Sequence, residues 1–493
     1  MLRWCVCLLL LSSSFASDGV KASQDRPQPT HATTQLPLST RSPRAQIQFE
    51  RAMRYFEEYR LNETLQSLRE ATKADPRFAQ AFILIAKVSK DPAEQTAARR
   101  RAKQLAPAVS PGERLLIRWL AGAQEDDFLP AIVAMNDLLA MYPNDHRLAF
   151  LAGDWLTLQA DYDHAALVLQ RALTLMPDYP AALNDLGYTY AYAGEFEKAF
   201  VVMDRYVALE PDEPNPHDSY GEILRMDGKF EAALDQYRTS IRTDPNFGSE
   251  LGVADTLALM GKEQDARAEY ARAIIFAGSQ SDKIEYELQS AVTWIRENNR
   301  RQAEKALSEV ARHAHAAGLA RQEAEAHRVL AMYEPDIKAA TLQLRSAWQA
   351  LQDHSDLSAS DRDEERATIL RVRAMRLAEA GETEAASQAV HQLQGMVGQS
   401  KSRVVLLSYH GAAGAVLMAQ KNFTEAIPEL EEDSGNPLSL RLLSLAYRST
   451  GASEQAQAVN AKLSALNVPT VEQALVVPQF RASLVSVSQA GHP

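Results

Sequence analysis

The chain has 493 residues, more than one compact hydrophobic core sustains, so it is either several domains or an array growing along one axis. Hydrophobic residues make up 46% and charged residues 24%, which excludes global disorder. Lys and Arg total 52 against 64 Asp and Glu, a net charge of −12 with no basic block, which argues against nucleic acid as a partner.

Residues 1–16 read as an export signal. Arg3 is followed by an apolar run over residues 5–11, and Ser14-Phe15-Ala16 fits the small-x-small rule for cleavage after Ala16. The run is short for a bilayer span. Membrane association is expected only if the segment stays uncleaved as an anchor. Cleavage removes Cys5 and Cys7, the two cysteines of the chain. The remainder then has no disulfide, thiolate metal site or cysteine nucleophile, which suits an oxidising, periplasmic or secreted setting. Residues 17–43 are rich in Ser, Thr, Pro and Gln without apolar periodicity and read as a flexible leader.

Helical patterning fills the chain beyond the leader, and residues 44–281 read as an array whose beat is exact over residues 112–245. Pro143, Pro177, Pro211 and Pro245 are 34 residues apart. Gly153, Gly187 and Gly221 hold the same step, as do Ala131, Ala165, Ala199 and Ala233. So do Met135, Leu169, Met203 and Tyr237. Within residues 180–213, Leu183, Leu186, Gly187 and Tyr190 form one face of a first helix. Gly194 follows its end, where a left-handed residue is needed. Phe196, Ala199, Phe200 and Met203 form one face of a second helix, which Pro211 ends. Gly187 and Ala199 are small where the two axes approach. Each unit is thus a helical hairpin whose apolar faces neighbours must cover.

This unit resembles the tetratricopeptide repeat, a 34-residue helix–turn–helix module with small residues at its eighth and twentieth positions. The likeness is strongest for residues 112–145, 146–179, 180–213 and 214–246, and extends to 45–78 and, with a slip, 247–278. Residues 79–109 read as a shortened unit. The family's Trp at the fourth position is absent, and Arg118 stands where the family is apolar. The resemblance implies an all-α fold, a right-handed α-solenoid of about eleven antiparallel helix pairs.

Beyond it, residues 282–352 read as divergent pairs, 286–298 with 301–316 and 322–332 with 337–351. An acidic linker is expected over 353–363. Residues 364–467 read as further pairs, 364–380 with 383–397, 404–420 with 424–430, and 438–449 with 453–466. In the tail, 468–493, Leu475, Val476, Val477, Phe480, Leu484 and Val485 are apolar between and beyond Pro469 and Pro478. It is expected to cap the last hairpin, with docking of a partner as the alternative.

In the family, the second, fifth, ninth and twelfth positions of first helices line a concave groove and touch ligand. The matching positions here include Arg147, Phe150, Asp154, Asn184, Tyr188, Asp218, Glu222, Arg225 and Asp255. The resemblance therefore implies a protein or peptide partner. The acids beside Phe150 and Tyr188 point to a segment bearing Lys or Arg next to an apolar residue. No cofactor, metal or catalytic residue is expected. His313 and His315, two apart on a helix, do not share a face. Residues 395–402 lack the Gly before Lys401 and the preceding strand that a phosphate loop needs. The leading expectation is an exported protein-binding scaffold serving envelope assembly or maintenance. An accessory subunit of one enzyme complex is the alternative, and an enzyme with a site within 282–400 is a third reading with no motif behind it.

Overall fold

The structure is a computed structural model. It describes residues 35–490 apart from 126, 353–356 and 401, and the side chains of 485–490 are left aside. The export signal and the leader through Thr34 lie outside the described residues. Among these there are twenty-five α-helices and no strand. They are α1 (Pro43–Glu57), α2 (Leu61–Ala74), α3 (Ala79–Val88), α4 (Pro92–Leu105), α5 (Pro111–Gln124), α6 (Phe128–Met141), α7 (His146–Leu158) and α8 (Tyr162–Leu175). Next come α9 (Pro180–Tyr192), α10 (Phe196–Leu209), α11 (Pro214–Met226), α12 (Phe230–Thr243), α13 (Glu250–Leu259), α14 (Glu263–Phe276), α15 (Gln280–Arg296) and α16 (Arg300–Ala316). The rest are α17 (Ala320–Tyr333), α18 (Ile337–Ala350), α19 (Ala359–Glu379), α20 (Thr383–Gln399), α21 (Arg403–Ala419), α22 (Phe423–Glu432), α23 (Pro437–Ser449), α24 (Ser453–Ser464) and α25 (Val471–Ala490).

From α1 to α24 they pack as antiparallel pairs, each on the next. First helices lie inside and second helices outside: α9 buries nine of thirteen residues, α10 only three of fourteen. Small residues set the spacing within a pair. A side chain on Gly153 would strike Leu169, one on Gly187 would strike Met203, and one on Gly221 would press on Tyr237. Those three knobs are almost wholly buried. Each stabilises its hairpin by about 2 kcal/mol of apolar burial. A second periodic contact closes the turns: Arg171 donates to the Pro143 carbonyl and Arg205 to that of Pro177.

Gly194, Gly228 and Gly261 hold the left-handed position after their first helices, with φ of 78°, 79° and 76°. In other units Tyr59, Ala160, Asn298 and Lys421 take that place, with φ between 54° and 65°. Turns without glycine blur the repeat in the sequence but not in the backbone.

Two expectations change. The end of the leader is packed, not flexible: Leu36 is buried and donates its N–H to Asp145 Oδ2 at 2.8 Å, while Ser39 donates to the buried Glu113 at 2.9 Å. The stretch expected as an acidic linker turns helical at Ala359. Ser358 caps α19 by accepting the Asp361 N–H, and Asp361 sits in the first turn, where the helix dipole favours an acid. The tail forms α25 with Pro478 inside it.

Candidate protein-binding face

The residues expected to line a groove do lie together along α7, α9, α11 and α13, but they differ in what faces them. Opposite α7 and α9 stands the end of α1 and the turn after it. Arg147 donates to Glu57 at 2.7 Å and to Glu50 at 3.0 Å. Phe150 is 1% exposed, wedged between Phe56 and Tyr179. Asp154 accepts from Lys87 of α3 at 2.6 Å. Tyr59 reaches across to donate to Asp185, beside the buried Asn184. Burial and the Asp154 charge hold the Asp185 carboxyl well above the usual carboxylate range. The end of α1, the turn after it and Lys87 of α3 therefore cover this part of the face.

Further along, Tyr188 donates to Glu222 at 2.8 Å. Arg225, buried, is held by Glu222 at 2.7 Å and Asp255 at 3.0 Å, and Asp255 also accepts from Tyr270 at 2.5 Å. Burying this cation is tolerable because two carboxylates and their hydrogen bonds compensate it. Tyr188 stacks on Tyr192 with centroids 5.9 Å apart, and Tyr192 on Tyr162 at 6.1 Å. Tyr192 is 47% exposed, so this ladder of rings reaches solvent.

Asp218 differs from its neighbours. It forms no ion pair among the described residues, and its carboxyl lies beside the Ser249 hydroxyl. Burial chiefly, with the Glu222 charge, pushes it up to about 7 against the Ser249 hydrogen bond. Glu285 of α15 is exposed and likewise has no cation bonded to it. The protein packed around it raises its carboxyl, as do Glu325, Asp282 and Asp255, against the pull of Lys90. Burial chiefly, and then the charges of Asp282, Glu285, Asp218 and Asp255, raise the Tyr286 hydroxyl. The face from α11 to α15 thus holds more carboxylate than cation. Glu285 and Tyr286 were not among the expected groove residues, because the repeat loses phase near residue 280. The alternation of Ile284 and Leu288 with Glu285 on a first helix was the available signal.

Among the described residues no group of three or more His, Asp, Glu or Cys is placed to hold a metal. His313 turns to Glu287 at 2.7 Å and His315 to Glu323 at 3.1 Å, on different sides of α16.

A sequence profile described as tetratricopeptide repeat matches residues 156–223. No curated protein sequence matches the chain. Among solved structures, the Cut9–Hcn1 hetero-tetramer of APC/C is similar over 84% of this chain and 76% of its own, at 16% identity and TM-score 0.38. MamA is similar over 34% of this chain and 92% of its own, at 18% identity and TM-score 0.28. A tetratricopeptide repeat protein from Parabacteroides merdae ATCC 43184 is similar over 54% of this chain and 91% of its own, at 13% identity and TM-score 0.34.

Proposed function

We propose that this chain, a tetratricopeptide-repeat protein, is a scaffold that holds a protein segment bearing Lys or Arg next to an apolar residue, along its inner face from Tyr192 to Glu285. One observation carries the reading. Among the described residues Asp218 and Glu285 form no ion pair, on a face where Arg225 is paired with both Glu222 and Asp255. A half-buried carboxylate without a counter-charge, as at Asp218, is costly, and an incoming ammonium or guanidinium removes that cost, with the exposed Glu285 adding to the attraction. The exposed ring of Tyr192 offers the apolar contact beside it, with cation–π attraction to a basic group as a further gain. Catalysis forms no part of this reading.

Export and a role in envelope assembly or maintenance belong to the same proposal. Arg3, the apolar run after it and the lack of any cysteine beyond Cys7 support export. Among the described residues no helix is long and apolar enough to cross a membrane.

The test is affinity capture from the native source with the intact chain and with Asp218→Asn/Glu285→Gln. Both substitutions spare Glu222, whose loss would strand Arg225. The expected result is a partner captured at low salt, released at high salt, and lost with the double variant. A variant that captures the same protein equally well overturns the reading.

A further inference from the structure

The C-terminal segment does more than cap the last hairpin. Val476 and Val477 of α25 pack with Leu440 of α23 and Leu463 of α24, as a cap should. Val471 and Ala474, one turn earlier, pack instead with Ile284, Leu288 and Val292 of α15, far away in the sequence. Just before α25, Asn467 donates to the Met226 carbonyl at the end of α11. The segment therefore runs along first helices and lies on the inner face, next to the α11–α15 carboxylates.

Its attachment is uneven. The buried side chains fall between Val471 and Val477, and from Ala482 to Leu484 the helix is exposed. Pro478 interrupts the helix and removes one main-chain hydrogen bond. Gln473 is buried with its Oε1 lacking any partner among the described residues. Arg481 is held by the Ser464 and Leu466 carbonyls and by Asn467 Oδ1, all belonging to the segment's own approach, rather than by a carboxylate of the face. Leu466 to Thr470 is non-helical, so it can act as a hinge. Beside the hinge a cleft of about 380 Å³ opens between Val404, Leu407, Pro437 and Val468, with Arg371 and Glu472 at its edge.

We propose that residues 466–484 are an internal ligand, displaced when a partner presents a helix of the same apolar pattern. That pattern is small or β-branched apolar residues at the places of Val471, Ala474, Val476 and Val477, then a cation at the place of Arg481. The partner's helix enters at the Val404–Val468 cleft and takes over the contacts to Ile284, Leu288 and Leu440. This rests on the reading that the inner face binds protein segments, and adds how access to it is controlled.

The probe is a fluorescent peptide of residues 467–486, titrated by anisotropy. A chain ending at Leu466 should bind it, and the intact chain should bind about tenfold or more weakly, because a tethered competitor acts at an effective concentration on the order of millimolar. The same peptide carrying Val477→Asp should not bind. If the shortened chain does not fold, as read by circular dichroism, the intact chain with Val477→Asp serves instead. It should then bind the wild-type peptide at least about tenfold more tightly than the unaltered chain does. Equal binding by strapped and unstrapped chains, or none by the folded unstrapped chain, overturns the proposal. Such a failure leaves the Asp218/Glu285 reading intact, since that is tested by capture and salt dependence.

Discussion

Asp218→Asn is the substitution whose effect stems most directly from the inner face. The carboxyl is pushed up to about 7 from a usual value of 3.8. Between those values the folded chain binds this proton and the unfolded chain does not, so stability contributed by the neutral form is lost as pH rises from about 4 to 7. The full gap corresponds to about 4 kcal/mol. Asp218 keeps some contact with solvent, so screening reduces the measurable effect to on the order of 2 kcal/mol. Urea unfolding from pH 5 to pH 8 reads it: the wild-type midpoint should fall with rising pH, and Asp218→Asn should flatten that slope. Glu210, also pushed up to about 7 by burial and by Glu213 and Glu58, remains as a background of the same sign. A basic ligand acts in reverse. By favouring the ionised form it should release a proton near neutral pH, visible by calorimetry in buffers of different ionisation enthalpy. An unchanged pH slope in Asp218→Asn would refute the reasoning.

Gly252→Ala should destabilise by about 1–2 kcal/mol in urea unfolding, because its methyl would sit 2.1 Å from the buried Tyr237 ring and overpacking outweighs the gain in helix propensity. Gly187→Ala should be near neutral by comparison, since it meets the flexible end of Met203. Tyr59→Phe removes the hydroxyl that Asp185 accepts from and should cost about 1–3 kcal/mol, with hydrogen exchange quickening first in α1 and α2. Arg225→Met strands Glu222 and Asp255 and should cost about 3–5 kcal/mol in thermal or urea unfolding, with partial recovery on adding Asp255→Asn.

The repeat was legible because each unit faces the same packing problem. Gly187 and Ala199 must be small, Met203 must fill the gap, and Gly194 must turn, so the residue types recur in phase. Legibility faded where the solution differs, as at Asn298 and Lys421, which take the left-handed turn position without glycine. The N-cap at Ser358 was masked by acids that resemble a linker but suit a helix start. Leu36 was unreadable for another reason: its partner, Asp145, is more than a hundred residues away.

The same distinction governs the binding face. Repeat position tells which side of a helix points inward, and the nine expected residues fall along α7, α9, α11 and α13. It cannot tell what stands opposite, because that depends on which distant unit the curving array brings round. Glu57, Tyr59 and Lys87, with Phe56, close over Arg147, Phe150, Asp154 and Asp185. On the reading proposed above, a ligand-contacting residue takes an inward position and forms no ion pair with another described residue. Asp154 is already paired with Lys87 and Phe150 is buried, whereas Asp218 and Glu285 form no ion pair among the described residues. The proposed face therefore lies toward α11–α15, beside α25, whose Val471 and Ala474 pack on α15.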